Sequence, residues 1–158
     1  MTVRLSVQLE QARLMSPDEA LPRLDDIVEL ARSKEYLPIA TFAAALRLDA
    51  WRVAGQLENL AREVDEVEVA ARRHRAPHPY LPEMLLVCAR AHAAVGRAQD
   101  AERCVGDGLQ WIHVIAWPHV PEVYRAGFAQ HNPVNTMLQA EAARRASAQG
   151  DSSTITGA

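Results

Sequence analysis

Apolar residues along this chain recur at intervals of three and four, the spacing that lines one face of an α-helix. β-branched residues are not clustered in alternation, as half-buried strands require. The stripe is sharpest between Met84 and Leu109, which reads as one helical hairpin. Leu85, Ala89 and His92 share a face of its first helix, Gly96 makes the turn, and Ala101, Val105 and Gly108 share a face of the second. Large residues facing small ones let two antiparallel helices pack closely.

The same period predicts the other helices. Leu5, Leu9 and Ala12 mark a first helix over Val3–Met15. Ser16-Pro17-Asp18-Glu19 opens a second, with a capping serine, proline at the first position and acids in the first turn. It carries Ala20, Leu21, Leu24, Ile27, Val28 and Ala31, tolerates Pro22 in its first turns, and ends between Ser33 and Tyr36. Leu37-Pro38 starts a third, through Phe42, Leu46, Ala50 and Val53 to Gly55. A fourth runs from Leu57 through Leu60, Ala61, Val64, Val67 and Ala71. Ala76-Pro77-His78-Pro79 reads as a linker. The hairpin helices follow, the fifth from Leu81-Pro82-Glu83 and the sixth reaching about Ala116.

Beyond the hairpin, Val120–Phe128 is predicted as a short helix with Tyr124 and Phe128 packing on one surface. Asn132-Pro133 opens a last helix, with Val134, Met137, Leu138 and Ala142 inward and Gln139, Glu141, Arg144 and Arg145 outward. Gln149–Ala158 is small and polar and is expected to be disordered.

Ala20, Ala61 and Ala101 fall early in successive second helices, at spacings of 41 and 40, and Gly55 and Gly96 are 41 apart. Helix–turn–helix units of that length divide one domain, residues 1–148, into repeats at about 1–36, 37–76 and 79–117, a cap at 120–148, and a tail. The order of small and large residues resembles the tetratricopeptide repeat. Ala89, Ala101 and Gly108 stand where that family keeps small residues and His92 where it keeps an aromatic, although the family's period is about 34. The resemblance implies an all-α fold, a short right-handed α-solenoid of about three hairpins with C-terminal capping helices. A closed six- or seven-helix bundle is the competing architecture. The segment from Val120, through Pro121, Tyr124-Arg125, Phe128 and Asn132-Pro133-Val134-Asn135, resembles the end of repeat arrays in bacterial signalling ATPases and transcription regulators. That likeness implies an interaction or sensing region.

Composition narrows the partners. A chain of 158 residues buries about 70% of its unfolded surface and needs neither disulfide nor metal to fold. A net charge of −3 implies no nucleic-acid partner, and the basic run Arg72-Arg73-His74-Arg75 fits a helix C-terminus. Cys88 and Cys104 lie in apolar helical faces, as buried reduced thiols of a cytoplasmic protein do. No apolar stretch approaches the ~20 residues of a membrane span, and Met1–Ser6 lacks a secretory pattern.

Candidate chemistry is sparse. Cys88, His92 and Cys104 could converge as zinc ligands, but no paired Cys-x-x-Cys accompanies them, and packing is the expected role. His113 and His119 could act as acid and base, yet no nucleophile or paired carboxylate lies nearby in sequence. Gly106-Asp107-Gly108 lacks the context of a phosphate loop. Trp51, Trp111 and Trp117 read as core or inter-repeat packing residues, with an exposed binding platform as the alternative. No catalytic residue, cofactor or metal is predicted, and the chain is expected not to be an enzyme. Charges on the first helices carry more. Glu83, Arg90 and Arg97 recur every seven residues away from the Leu85–His92 face, and Asp49 and Arg52 lie off the stripe of the third helix. If the array curves as the resemblance implies, Asp49, Arg52, Glu83, Leu86 and Arg90 face a groove that takes another protein or a peptide segment. The alternatives are a ligand-sensing or oligomerising regulatory module, with a possible homodimer, and a small metal protein or enzyme.

Overall fold

The structure, a computed structural model, describes residues 2–73 and 80–153. Eight α-helices order these residues: α1 (Thr2–Arg13), α2 (Pro17–Ser33), α3 (Leu37–Val53), α4 (Leu57–Arg73), α5 (Leu81–Ala94), α6 (Ala98–Gln110), α7 (Glu122–Gln130) and α8 (Pro133–Ser153). Among the described residues there is no strand. No helix among them is long and apolar enough to cross a membrane. The expected linker, together with His74 and Arg75 of the basic run, lies outside the described residues. α8 continues through Ser153, so the first part of the expected tail extends the helix.

The helix ends follow local chemistry. At the start of α2 the Glu19 carboxylate accepts the Ser16 backbone N–H (3.3 Å) and hydroxyl (2.8 Å), the reciprocal half of a capping box. Those bonds hold the Glu19 carboxyl below the usual range. Three turns share one C-terminal geometry. Glu35, Gly55 and Gly96 take positive φ (58°, 71° and 79°), and the next residue's N–H returns to the last turn: Tyr36 to Ala31 O, Gln56 to Trp51 O, Arg97 to His92 O, at 2.8–2.9 Å. Glycine suits that conformation at two of them, and Glu35 adopts it with a side chain.

Buried positions repeat more faithfully than residue identities. α2 buries Ala20, Leu24, Ile27, Val28 and Ala31, and α4 buries Leu60, Val64, Val67, Glu68 and Ala71, each 40 residues on. Another 41 residues on come Ala101, Val105, Gly108 and Ile112, all buried. The counterpart of Ala20 and Ala101 is therefore Leu60. Ala61, which shares their residue type, is exposed. Glu68, an acid, occupies the place of Val28.

α3 and α5 are buried on most sides, pack on each other, and are flanked by α2, α4 and α6. Gly108 lets α8 come close: a Cβ there would lie 3.1 Å from Leu138 Cδ1, so the fully buried leucine of α8 seats on α6 where no side chain stands. α6 passes into a π-helical segment, Trp111–Ala116, and a 3₁₀ turn, Trp117–His119. Ile112 is buried there, whereas Val114 and Ile115 are exposed. Tyr124 and Phe128 do not share a surface. Phe128 packs against Trp117 and the core, and Tyr124 stands 67% exposed. Glu141 is not an outward residue of α8 either. It is buried between Arg144 and Arg145, which both bond it.

Candidate functional site

Two places gather chemistry, and α5 contributes to both. Arg90 and His92 are two positions apart, about 200° around the helix, and so point to opposite sides.

On the first side a cavity of about 590 Å³ opens between α1, α2, α3, α5 and the start of α8. Its apolar surface comes from Leu24, Leu46, Ala50, Val53, Leu86, Val87, Val134 and Met137. Arg13, Asp49, Glu83 and Arg90 supply charge of both signs. Asp49, Glu83, Leu86 and Arg90 line one concavity. Arg52 does not line it. Its Nε and Nη2 donate to Asp49 Oδ1 at 3.0 and 2.8 Å.

Sequence periodicity does not announce the other walls. Arg13 of α1 reaches across to bond Glu83 of α5, 70 residues away, and lies 5.6 Å over the Phe42 ring. Tyr80 donates its hydroxyl to Asn135 Oδ1 (2.7 Å), and burial pushes its pKa up to about 12. Asn135, itself fully buried, donates Nδ2 to Phe128 O at 2.8 Å. Asn132 Oδ1 accepts the Val134 and Asn135 amides, which caps α8 as the Asn-Pro signature predicts.

On the other side, Glu68 of α4 meets His92 of α5 and Cys104 of α6, with ligand-capable atoms all within 4.8 Å of one another. His92 is fully buried, and its Nε2 lies 2.8 Å from Glu68 Oε2. Its Nδ1 is buried without a hydrogen-bond partner. Arg72 donates Nε to Glu68 Oε1 at 3.0 Å, and Arg103 Nη2 reaches both carboxylate oxygens at 3.0 and 3.1 Å. Burial pushes the Glu68 carboxyl up. The bonds from His92, Arg103 and Arg72 more than offset that, and its pKa falls to about 2. Each arginine also holds a second acid: Arg72 holds Asp107 and Arg103 holds Asp100, both at 2.6 Å. Burial raises both thiols, Cys104 to about 12.

Glu68, His92 and Cys104 are the residues here that could hold a soft metal ion. Cys88, the other thiol of the anticipated trio, is buried on α5 outside that group. Glu68 was not anticipated, and it is the hub of the cluster. Both of its oxygens are occupied, so the carboxylate is the centre of an ion network tying three helices together. His113 and His119 are exposed, on the π-helical segment and the 3₁₀ turn. Trp51 is buried, with the Arg47 guanidinium 4.7 Å over its ring, while Trp111 and Trp117 are half-buried.

No protein-family model, curated protein or solved structure matches the chain.

Proposed function

We propose that the chain is a non-catalytic interaction module that takes a peptide or helical segment of a partner protein into the groove between α1, α3, α5 and α8. The observation that carries this reading is the 590 Å³ concavity with an apolar floor and walls of both charge signs, to which Asp49, Glu83, Leu86 and Arg90 contribute. Apolar contact supplies affinity in such a groove and the charges set register. The recurrence of the buried set at intervals of 40 and 41 residues, with one turn geometry repeated, supports a short tetratricopeptide-like right-handed solenoid as the scaffold. In that scaffold Arg52 acts indirectly, by fixing the Asp49 carboxylate.

The reading is tested by panning a displayed peptide library on the wild-type chain and on a folded Asp49→Lys, Glu83→Lys, Arg90→Glu variant. Peptides enriched on the first and lost on the second support the groove. Peptides retained equally by both move the contact to another face.

A second reading is an oligomerising regulatory module of a bacterial signalling or transcription protein. It is favoured by one observation: Val114, Ile115, Val123 and Tyr124 are 53–80% exposed near the C-terminal end of the fold. Concentration-dependent dimerisation abolished by Ile115→Asp, with no groove-dependent peptide, would favour it over the groove.

A further inference from the structure

The groove's polar groups are nearly all satisfied from within. Arg13 holds Glu83 and Glu10, Asp49 holds Arg52, Tyr80 holds Asn135, and Asn132 caps α8. Arg90 differs. Among the described residues its one polar contact is from Nη2 to the Met137 Sδ at 3.4 Å. A thioether is a weak acceptor. The guanidinium therefore enters the groove with no carboxylate of the described residues within 4.0 Å and its donors largely free for water.

Any occupant that settles on Leu46, Ala50, Leu86 and Val87 strips water from that guanidinium. A cation desolvated without a counter-charge opposes binding, so a favourable occupant brings an anion to it. The flat fork of an arginine matches a carboxylate with two parallel bonds. A doubly charged phosphate would fit the fork but would also face the carboxylates of Asp49 and Glu83 in the same cavity. One negative charge balances Arg90. Leu86 and Val87, one turn back from Arg90 on α5, are apolar, so the groups beside that charge are apolar too.

Resting on the groove reading above, we infer that the recognised segment carries an aspartate or glutamate flanked by large apolar side chains, its carboxylate seated on Arg90. Arg90 is then the residue that sets specificity, and Glu83 and Asp49 act by excluding a second negative charge.

The test uses peptides displayed through their C-termini, so that the only carboxylates offered are side chains. The full chain is compared with Arg90→Met, Arg90→Glu and Ala50→Trp, the last chosen to fill the cavity, each shown to melt as the wild type does. Wild type is expected to enrich peptides with an acid between apolar residues. Arg90→Met is expected to bind them about ten- to a hundredfold more weakly, and Arg90→Glu to enrich lysine or arginine at the same place. Peptides lost on Ala50→Trp but indifferent to Arg90→Met and without acid preference would overturn the inference and leave the groove standing. Peptides indifferent to Ala50→Trp, or none at all, would overturn both. Saturable binding of dodecanoate that Arg90→Met abolishes, with no peptide enriched, would replace the peptide with a small apolar acid.

Discussion

The junction of α4, α5 and α6 and the groove on the other side of α5 are built from similar residues: arginines, acids and large aliphatic side chains. They differ in how the charges are used. At the junction Glu68 receives His92, Arg72 and Arg103, and each arginine holds a further acid, so the charges are paired with one another. In the groove the ion pairs sit around open space, and among the described residues one guanidinium bonds only a sulfur. A cluster of ligand-type side chains is thus weak grounds for a site, whereas an unsatisfied charge beside a cavity is strong grounds. The junction ties three helices together, and the groove keeps a guanidinium with no ion pair among the described residues.

The sharpest way to break this contrast is at Glu68. Glu68→Leu is expected to destabilise the fold by about 3 kcal/mol, because His92 Nε2 loses its buried partner and Arg72 and Arg103 keep only their outer acids. Urea unfolding measures it, and a loss below about 1 kcal/mol would show that the network is not structural. The same carboxylate predicts a pH dependence. Its folded pKa is lowered from 4.5 to about 2, so its contribution is complete above about pH 5 and disappears as pH falls toward 2. The wild type should lose stability across that window, and Glu68→Gln should start lower and lose distinctly less.

Next in size is the wall that the groove borrows from the core. Leu138 is fully buried against Gly108, one residue from Met137 in the cavity lining. Leu138→Ala should cost about 2–4 kcal/mol in denaturant unfolding and weaken peptide capture as α8 loosens. Unchanged capture at equal folded fraction would separate α8 from the groove. Arg13→Ala should cost less than about 1 kcal/mol, since the Arg13–Glu83 pair is partly solvated. A double-mutant cycle with Glu83→Ala isolates that pair. Smallest of all, Arg90→Met should leave the melting temperature almost unchanged, within about 0.5 kcal/mol, because no carboxylate loses a partner. A large loss there would place Arg90 among the structural residues and end the contrast.

Much of the fold was legible because helix stripes, prolines at helix starts and glycines at turns are local signals. The repeat was legible in its period and misaligned by one residue. Matching alanine to alanine selected Ala61, whereas burial selects Leu60. Glu68 was hidden for the same reason, since a charged residue reads as solvent-facing when judged by type. Setting α4 against α2 by burial pattern puts it in the place of Val28, inside the core. In the groove, Glu83, Leu86 and Arg90 were expected from α5 and Asp49 from α3, on the curvature that the resemblance implies. Arg13, Tyr80 and the Asn132–Met137 segment were not, because they arrive through contacts spanning most of the chain, which no local period encodes.

One consequence belongs to α7. It has no buried residue, yet it lies between Ile112 of the π-helical segment and Asn135 and Leu138 of α8, all nearly or fully buried. Its links inward include the Asn135 bond to Phe128 O and the Trp117–Phe128 ring contact. Its backbone amides should therefore exchange with deuterium through local opening, long before those of α5 and α6, which exchange only when the core itself opens. Such a helix can come undone and re-form while both of its ends stay anchored, giving the C-terminal end of the fold a slack segment between two fixed points.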